Sequence, residues 1–228
     1  MARLTSISEI DPIPKRIYTD NLILWKVIRS EIIRLGKDAD LNHMDVSEIT
    51  NMFNLFFSTS FCGDVSLWDV GNVSVMEGMF AYTDFSGDIS LWDTKNLKNA
   101  SSMFRKSKFN SDIKGWNVGN LRYMNMMFTN SLFNHDISNW QLNKPIDMSN
   151  MFWGCEISYC MDKLAERITD ITEVSGILDN TLNYKFNRDV FRKKSNELKR
   201  IANETYRNNL IRNTQAETSV CQNGKRTC

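Results

Sequence analysis

The chain has 228 residues, 42% of them apolar, and a formal net charge of +1, which suits one domain with a substantial core. No apolar run approaches the roughly 18 residues of a membrane-spanning helix, and the first residues lack the charge and apolar pattern of a secretion signal. We therefore expect a soluble cytoplasmic protein, with the extracellular surface as the alternative location.

Cysteine and histidine usage argues against a metal centre. The five cysteines are Cys62, Cys155, Cys160, Cys221 and Cys228. Their number is odd and their spacing is not that of paired zinc ligands. Only two histidines are present. We expect free thiols, no bound metal and no cofactor.

The N-terminal part predicts one helix after an extended leader. Residues 1–18 contain two prolines and predict the leader. In residues 19–39, Asp20 is a suitable N-cap and Gly36 a suitable C-terminal stop. Between them, apolar residues recur at helical spacing, namely Leu24, Trp25, Ile28, Ile32 and Leu35. We expect this helix to cap the repeats that follow.

Residues 40–160 repeat with a period of 24 residues. The clearest markers are Trp68, Trp92, Trp116 and Trp140. Five copies are visible, the first and last of them degenerate. A period of this length is typical of a solenoid, in which each unit buries its apolar face against its neighbours.

Apolar residues occupy the same positions in successive units, which predicts a continuous core. Two of these columns are Phe56, Phe80, Phe104, Phe128, Phe152 and Phe61, Phe85, Phe109, Phe133. The tryptophan column is in phase with them, so we expect it in the core rather than on a stacking surface for bases or sugars.

Two local patterns occur within each unit. Residues 73–80 carry apolar side chains at i, i+3, i+6 and i+7, which predicts a short helix. Residues 85–92 predict a short extended segment. The fold class predicted is an α/β solenoid, a leucine-rich-repeat-like right-handed coil with short parallel strands, short helices and helical caps at both ends.

The repeat resembles the BspA-type leucine-rich repeats of bacterial surface proteins and mycoplasma-type lipoproteins. The resemblance is carried by the stretches FNSDI at 109–113 and FNHDISNW at 133–140, and by DADLNHMDVS at 38–47. It covers roughly residues 20–160. The resemblance implies an adhesion or protein-interaction module without an assigned activity.

The period stops after Cys160. Residues 161–212 predict a C-terminal helical subdomain that covers the second end of the repeats, and residues 213–228 predict a disordered tail. The subdomain carries a basic cluster that suggests contact with phosphates as an alternative to a solvated face, namely Lys193, Lys194, Lys199 and Arg200.

Two polar columns stand out in the repeats. The first, here called the Asp column, is Asp40, Asp64, Asp88, Asp112 and Asp136. Each carboxylate either caps amides of its own turn or the column attracts a cation or a basic peptide. Equivalent carboxylates have no means of dividing acid and base roles, so hydrolysis is disfavoured. The second column, Asn72, Asn96 and Asn120, predicts structural hydrogen bonds.

Positions that vary between units are the candidate contact surface, because core columns must repeat and contact residues need not. On the predicted sheet side these are Ser66, Ser90, Lys114 and Ser138. Leu67 and Leu91 beside them are either apolar contacts or half-buried. The third set lies in the four-residue links that follow the predicted helices, and comprises Arg105, Lys106 and Lys108.

The sequence as a whole predicts a non-catalytic protein–protein interaction module from a bacterium or a phage. It carries no Gly-rich phosphate loop, nucleophile elbow or Ser/His/Asp set, so we do not expect an enzyme. The alternatives are a surface adhesin exported by a non-classical route and a nucleic-acid-associated regulator that uses the basic C-terminal cluster. The partner is predicted to be a protein, without membrane insertion.

Overall fold

The computed structural model describes residues 18–143 and 145–158, together with Leu164, Lys193, Asn196, Glu197, Arg200 and Glu204. The leader up to residue 17, most of the C-terminal helical subdomain predicted at 161–212 and the predicted tail at 213–228 lie outside the described residues.

The chain begins, in its described part, with one helix, α1 (Asn21–Leu35). The Asp20 side chain accepts a hydrogen bond from the Ile23 amide at 2.9 Å. Gly36 ends the helix with a φ of +99°, and its amide donates to the Ile32 carbonyl, as a glycine at a C-terminal cap commonly does. The predicted helix, its N-cap and its stop are confirmed.

Helix α1 closes the first repeat unit through two side chains. Asn21 Nδ2 donates to the Phe53 carbonyl at 3.4 Å, and Arg29 Nη2 donates to the Phe57 carbonyl at 3.0 Å. In the next unit the equivalent carbonyls, those of Glu77 and Ala81, accept amides from the unit before. Asn21 and Arg29 therefore take the place of a preceding unit.

A backbone ladder joins each unit to the next. Parallel bridges connect equivalent residues, namely Asn51, Val75, Asn99, Tyr123 and Asp147. In the stretch 52–58 every second amide donates to a carbonyl of the following unit, at 2.7–2.9 Å. Of the amides between them, those of Leu55 and Phe57 donate to carbonyls three residues back, and that of Phe53 donates to Asn51 Oδ1. Both sets of donors are thereby satisfied, as buried backbone requires.

The short helices predicted in the units are wrong for the described residues, where this part of each unit is a run of turns. Two columns have a left-handed backbone, with φ between +53° and +75°. They are Asn54, Gly78, Ser102, Met126, Asn150 and Ser58, Tyr82, Lys106, Asn130, Gly154. A left-handed residue at every fourth position is incompatible with a right-handed helix, although it preserves the apolar spacing that suggested one.

The extended segment predicted at 85–92 also differs from the structure. The Ser90 amide donates to Asp88 Oδ1 at 2.9 Å, and the Trp92 amide donates to the Ile89 carbonyl at 3.2 Å, so the chain turns here. At the equivalent position of the first two units a parallel bridge does join Asp40 to Asp64, whereas the bridges between the later units lie at Val75 and its equivalents, inside the segment predicted to be helical. Among the described residues, the pairing takes the form of isolated bridges rather than continuous strands.

Aromatic side chains fill the interior of the stacked units. Rings of the first phenylalanine column lie 5.1–5.9 Å apart between units, and those of the second column 6.1–6.2 Å apart. Within a unit, the two phenylalanines stack at 3.8–4.3 Å. The burial predicted for both columns is confirmed, since every one of these rings is fully buried.

The tryptophan column lies in the core, as predicted. Each of its four indoles is at most 4% exposed. Each indole N–H donates to a carbonyl of the preceding unit at 2.9–3.2 Å. The carbonyls that accept are those of Leu41, Val65, Ile89 and Ile113. The column therefore contributes both apolar volume and a polar link between units.

A buried hydroxyl bridges the two phenylalanines of each central unit. The Thr83 hydroxyl donates to the Phe80 carbonyl at 2.7 Å and accepts from the Phe85 amide at 3.3 Å. Thr59 and Ser107 make the same pair of bonds in their units.

We predict that Thr83→Val destabilises the fold and that Thr83→Ser does not. Valine fits the space but leaves a buried carbonyl and a buried amide without partners, which costs about 1–3 kcal/mol. Serine keeps the hydroxyl. Chemical denaturation measures the free energy of unfolding, and equal losses in the two variants would contradict the role given to the hydroxyl.

We predict that Gly78→Ala lowers the free energy of unfolding by at least about 1–2 kcal/mol, the usual cost of a left-handed L-residue. Gly78 has a φ of +62°, and an added Cβ would lie 2.1 Å from Asn54 Oδ1. Gly115→Ala is the matched control, because a Cβ there meets nothing within 4 Å. Equal thermal midpoints for the two variants would contradict the assigned backbone conformation.

Candidate functional site

The Asp column caps its own turns. In all five residues, Asp40, Asp64, Asp88, Asp112 and Asp136, Oδ1 accepts the amide two residues later at 2.8–2.9 Å. The predicted structural role of these carboxylates is confirmed. Within the described residues, no three His, Cys, Asp or Glu side chains converge as metal ligands would.

The same hydrogen bonds favour the ionised form of three of these carboxylates. Backbone donation from Ser66, Ser90 and Lys114 holds the pKa of Asp64, Asp88 and Asp112, respectively, below its ordinary value. For Asp88, the negative charges of Asp64 and Asp112 raise the pKa in opposition. Hydrogen bonding to the charged form outweighs this repulsion.

The second polar column is also structural. Nδ2 of Asn72, Asn96 and Asn120 donates to a carbonyl of the preceding unit at 2.7–2.9 Å. The predicted bonding between neighbouring units is confirmed. The two most regular polar columns of the sequence thus hold turns and units together.

The exposed residues beside the Asp column differ from unit to unit. Leu67 is 74% exposed and Leu91 88% exposed, so the half-buried alternative is wrong for both. The neighbouring column contains Ser66, Ser90, Lys114 and Ser138, whose amides all bind the Asp column. Lys114 Nζ also pairs with Asp112 at 3.0 Å.

The link residues form a cluster around Tyr82, which is 38% exposed. The Phe57 ring meets it edge-on at 5.5 Å. The Arg105 guanidinium lies 5.7 Å and the Lys106 ammonium 5.3 Å from the centre of the Tyr82 ring, both within cation–π range. Three successive units thereby contribute to one aromatic and basic cluster.

A groove of about 440 Å³ runs beside this cluster. It is here called the link groove, and it is lined by Ser58, Thr59, Ser60, Tyr82, Thr83, Asp84 and Lys106. At its edge, Lys108 Nζ pairs with Asp84 at 2.8 Å. The hydrogen bond and charge of Lys108 lower the pKa of Asp84, so this carboxylate is ionised at neutral pH.

The sequence pattern indicated the variable four-residue links at 57–60, 81–84, 105–108 and 129–132, with Arg105, Lys106 and Lys108 among them, but it did not indicate that Tyr82 gathers two of these cations beside a groove. A signal for Tyr82 was present. Asn130 and Gly154 mark their column as left-handed, since these two residue types tolerate a positive φ. Tyr82 and Lys106 occupy the same column and are therefore unusual there.

The basic C-terminal residues are only partly described. Lys193 and Arg200 are helical and exposed, and Arg200 lies 3.5 Å from Glu204 one turn later. Lys194 and Lys199 lie outside the described residues. The predicted cluster of four cations therefore stays a prediction.

Nothing in the described part of the chain combines the length and apolarity needed for a helix to cross a bilayer.

A family model described as "Mycoplasma protein of unknown function, DUF285" matches the chain three times, over residues 30–130, 61–164 and 84–193. The overlapping matches together span residues 30–193, which include the repeats. A comparison with curated proteins found no match, and neither did a comparison with solved structures.

We predict that the stabilising charge of Asp88 is lost in acid. Because the folded pKa lies below the ordinary value of about 3.9, its contribution is present above that pH and disappears as pH falls through the folded pKa. Asp88→Asn keeps the turn-capping oxygen and removes the charge. Denaturation at a series of pH values should therefore show wild type and variant converging below about pH 4, and a constant difference would contradict the prediction.

Proposed function

The chain belongs to the DUF285 family of Mycoplasma proteins of unknown function, and on that premise we propose that it is a non-catalytic protein-binding module. In this proposal the units form a capped, leucine-rich-repeat-like solenoid of the BspA type. The module acts inside a bacterial cell, and its partner is another protein that contacts the positions which vary between units.

Two leucines carry the proposal. Leu67 and Leu91 occupy equivalent positions of successive units and are 74% and 88% exposed. Because they are one repeat period apart, the two exposed side chains lie on the same side of the stack in neighbouring units. A single exposed leucine needs no explanation, whereas an aligned apolar pair offers a surface for another protein.

Different positions within each unit serve stability and surface contact, and this separation supports the same proposal. Core columns and the polar columns that cap turns repeat from unit to unit. The positions beside them change in size and charge, as Leu91 and Gly115 do at one equivalent position. A surface of this kind can be adapted to a partner without altering the core.

The chemistry of the described residues favours binding over catalysis. The Cys155 thiol is fully buried, and burial raises its pKa to about 11, so it is a protonated thiol rather than a nucleophile at neutral pH. Its Sγ donates to the Phe128 carbonyl at 2.7 Å. His135 Nε2 lies 2.8 Å from the Asn110 carbonyl, where a backbone group occupies it.

We predict that the immobilised chain retains one protein in stoichiometric amount from a nuclease-treated mycoplasma lysate, and that Leu67→Ser/Leu91→Ser abolishes this retention. Both leucines are exposed, so the double variant should fold. Ile33→Ser is the matched control, since Ile33 on α1 is 86% exposed and lies on a different element. Mass spectrometry identifies the protein, and calorimetry with the purified partner measures its affinity.

Other outcomes distinguish the alternatives. Retention of salt-sensitive nucleic acid alone, from a lysate without nuclease, would contradict protein binding and favour the regulator. Labelling of the chain on intact cells would contradict an intracellular module and favour the adhesin. Equal retention of the protein by the double variant and by the Ile33→Ser control would show that Leu67 and Leu91 do not contact the partner.

A further inference from the structure

We propose that the link groove binds an acidic segment of a protein partner, with Tyr82 and Lys106 as the contacting residues and Arg105 adding positive charge beside the Tyr82 ring. The inference rests on the protein-binding function proposed above and adds the chemistry of what is bound. It places a second contact on the chain, carried by residues other than Leu67 and Leu91.

Uncompensated positive charge is the first argument. Within the described residues, neither Arg105 nor Lys106 forms an ion pair. Arg105 Nε is buried and has no hydrogen-bond partner in that part of the chain, which is costly for a charged donor. A carboxylate in the groove would meet the exposed ammonium of Lys106 and bring the negative charge that both cations attract.

The backbone gives the second argument. Tyr82 has a φ of +59° and Lys106 a φ of +53°, a conformation that costs L-residues with a full side chain more than Asn or Gly. Asn130 and Gly154 show that the column accepts those cheaper residues. Strain of this kind gathers at binding positions, where the side chain serves a purpose other than stability.

The aromatic ring explains why the bound segment is a peptide. Tyr82 presents an exposed ring between Phe57 and the two cations, and such a ring packs against the apolar part of a side chain or a backbone.

The groove also contains the ionised Asp84. Residues 40–160 hold 13 acidic against 8 basic side chains. This negative charge repels a continuous row of phosphates more strongly than it repels a peptide with intermittent acidic residues, so the peptide is favoured over nucleic acid.

The test uses the full chain and a fluorescein-labelled peptide of alternating glutamate and glycine. We expect salt-sensitive binding by fluorescence anisotropy, with an affinity about tenfold weaker for Tyr82→Asn and for Lys106→Asn. Because asparagine tolerates the left-handed backbone, both variants should unfold at the same temperature as wild type or higher. Lys98→Asn is the matched control, since it removes an exposed positive charge elsewhere on the stack and should leave the affinity unchanged.

Several results would overturn the proposal. These are equal peptide affinity in wild type and both groove variants, an equal loss in Lys98→Asn, a lower unfolding temperature in Tyr82→Asn and Lys106→Asn, or tighter binding of oligothymidylate than of the peptide. The lysate experiment separates the two proposals. Capture of a protein through Leu67 and Leu91 without peptide binding would reject the groove alone, and peptide binding without capture would reject the leucine contact alone.

Discussion

The backbone ladder between units is the interaction on which the rest of the molecule depends. Every second amide of the stretch 52–58 has its acceptor in the following unit, and the indole N–H groups reach back to the preceding one. A single unit would therefore leave polar groups unpaired on both sides, in addition to exposing its phenylalanines. The aromatic columns can stack closely because the ladder holds equivalent residues in register.

The 24-residue period was sufficient to predict which residues are buried, and the capping residues Asp20 and Gly36 were sufficient to predict α1. The path of the chain within a unit was not predictable from apolar spacing. A run of turns that buries every third or fourth side chain produces the same apolar spacing as a short helix. Only the sign of φ at positions such as Gly78 and Tyr82 distinguishes the two structures. Glycine and asparagine recur in those columns, but serine, lysine and methionine obscure the pattern.

The candidate surfaces, like the path of the chain, were only partly predictable from the sequence. The Asp column attracted attention because it is regular, and its regularity reflects a repeated capping bond. Leu67 and Leu91 were recognisable as candidates, but their exposure depended on the turn that follows each aspartate. The central place of Tyr82 among the variable links was not recognisable, because its contacts come from three units and no local spacing brings Phe57 and Lys106 to the same ring. In a repeated sequence, the residues most informative about binding are those that differ from the residue types usual at their position in the unit.

The ladder has a direction in the stretch 52–58, since these amides donate to the following unit, and the equivalent stretch of the next unit offers its carbonyls to the preceding one. At the first unit the offered carbonyls of Phe53 and Phe57 are occupied by side chains of α1. By occupying two of the carbonyls that would accept from a preceding unit, the helix disfavours edge-to-edge pairing with another chain. The arrangement also allows the number of units to change, because duplication or deletion of a whole unit in the middle of the stack leaves α1 and the carbonyls that it contacts unchanged.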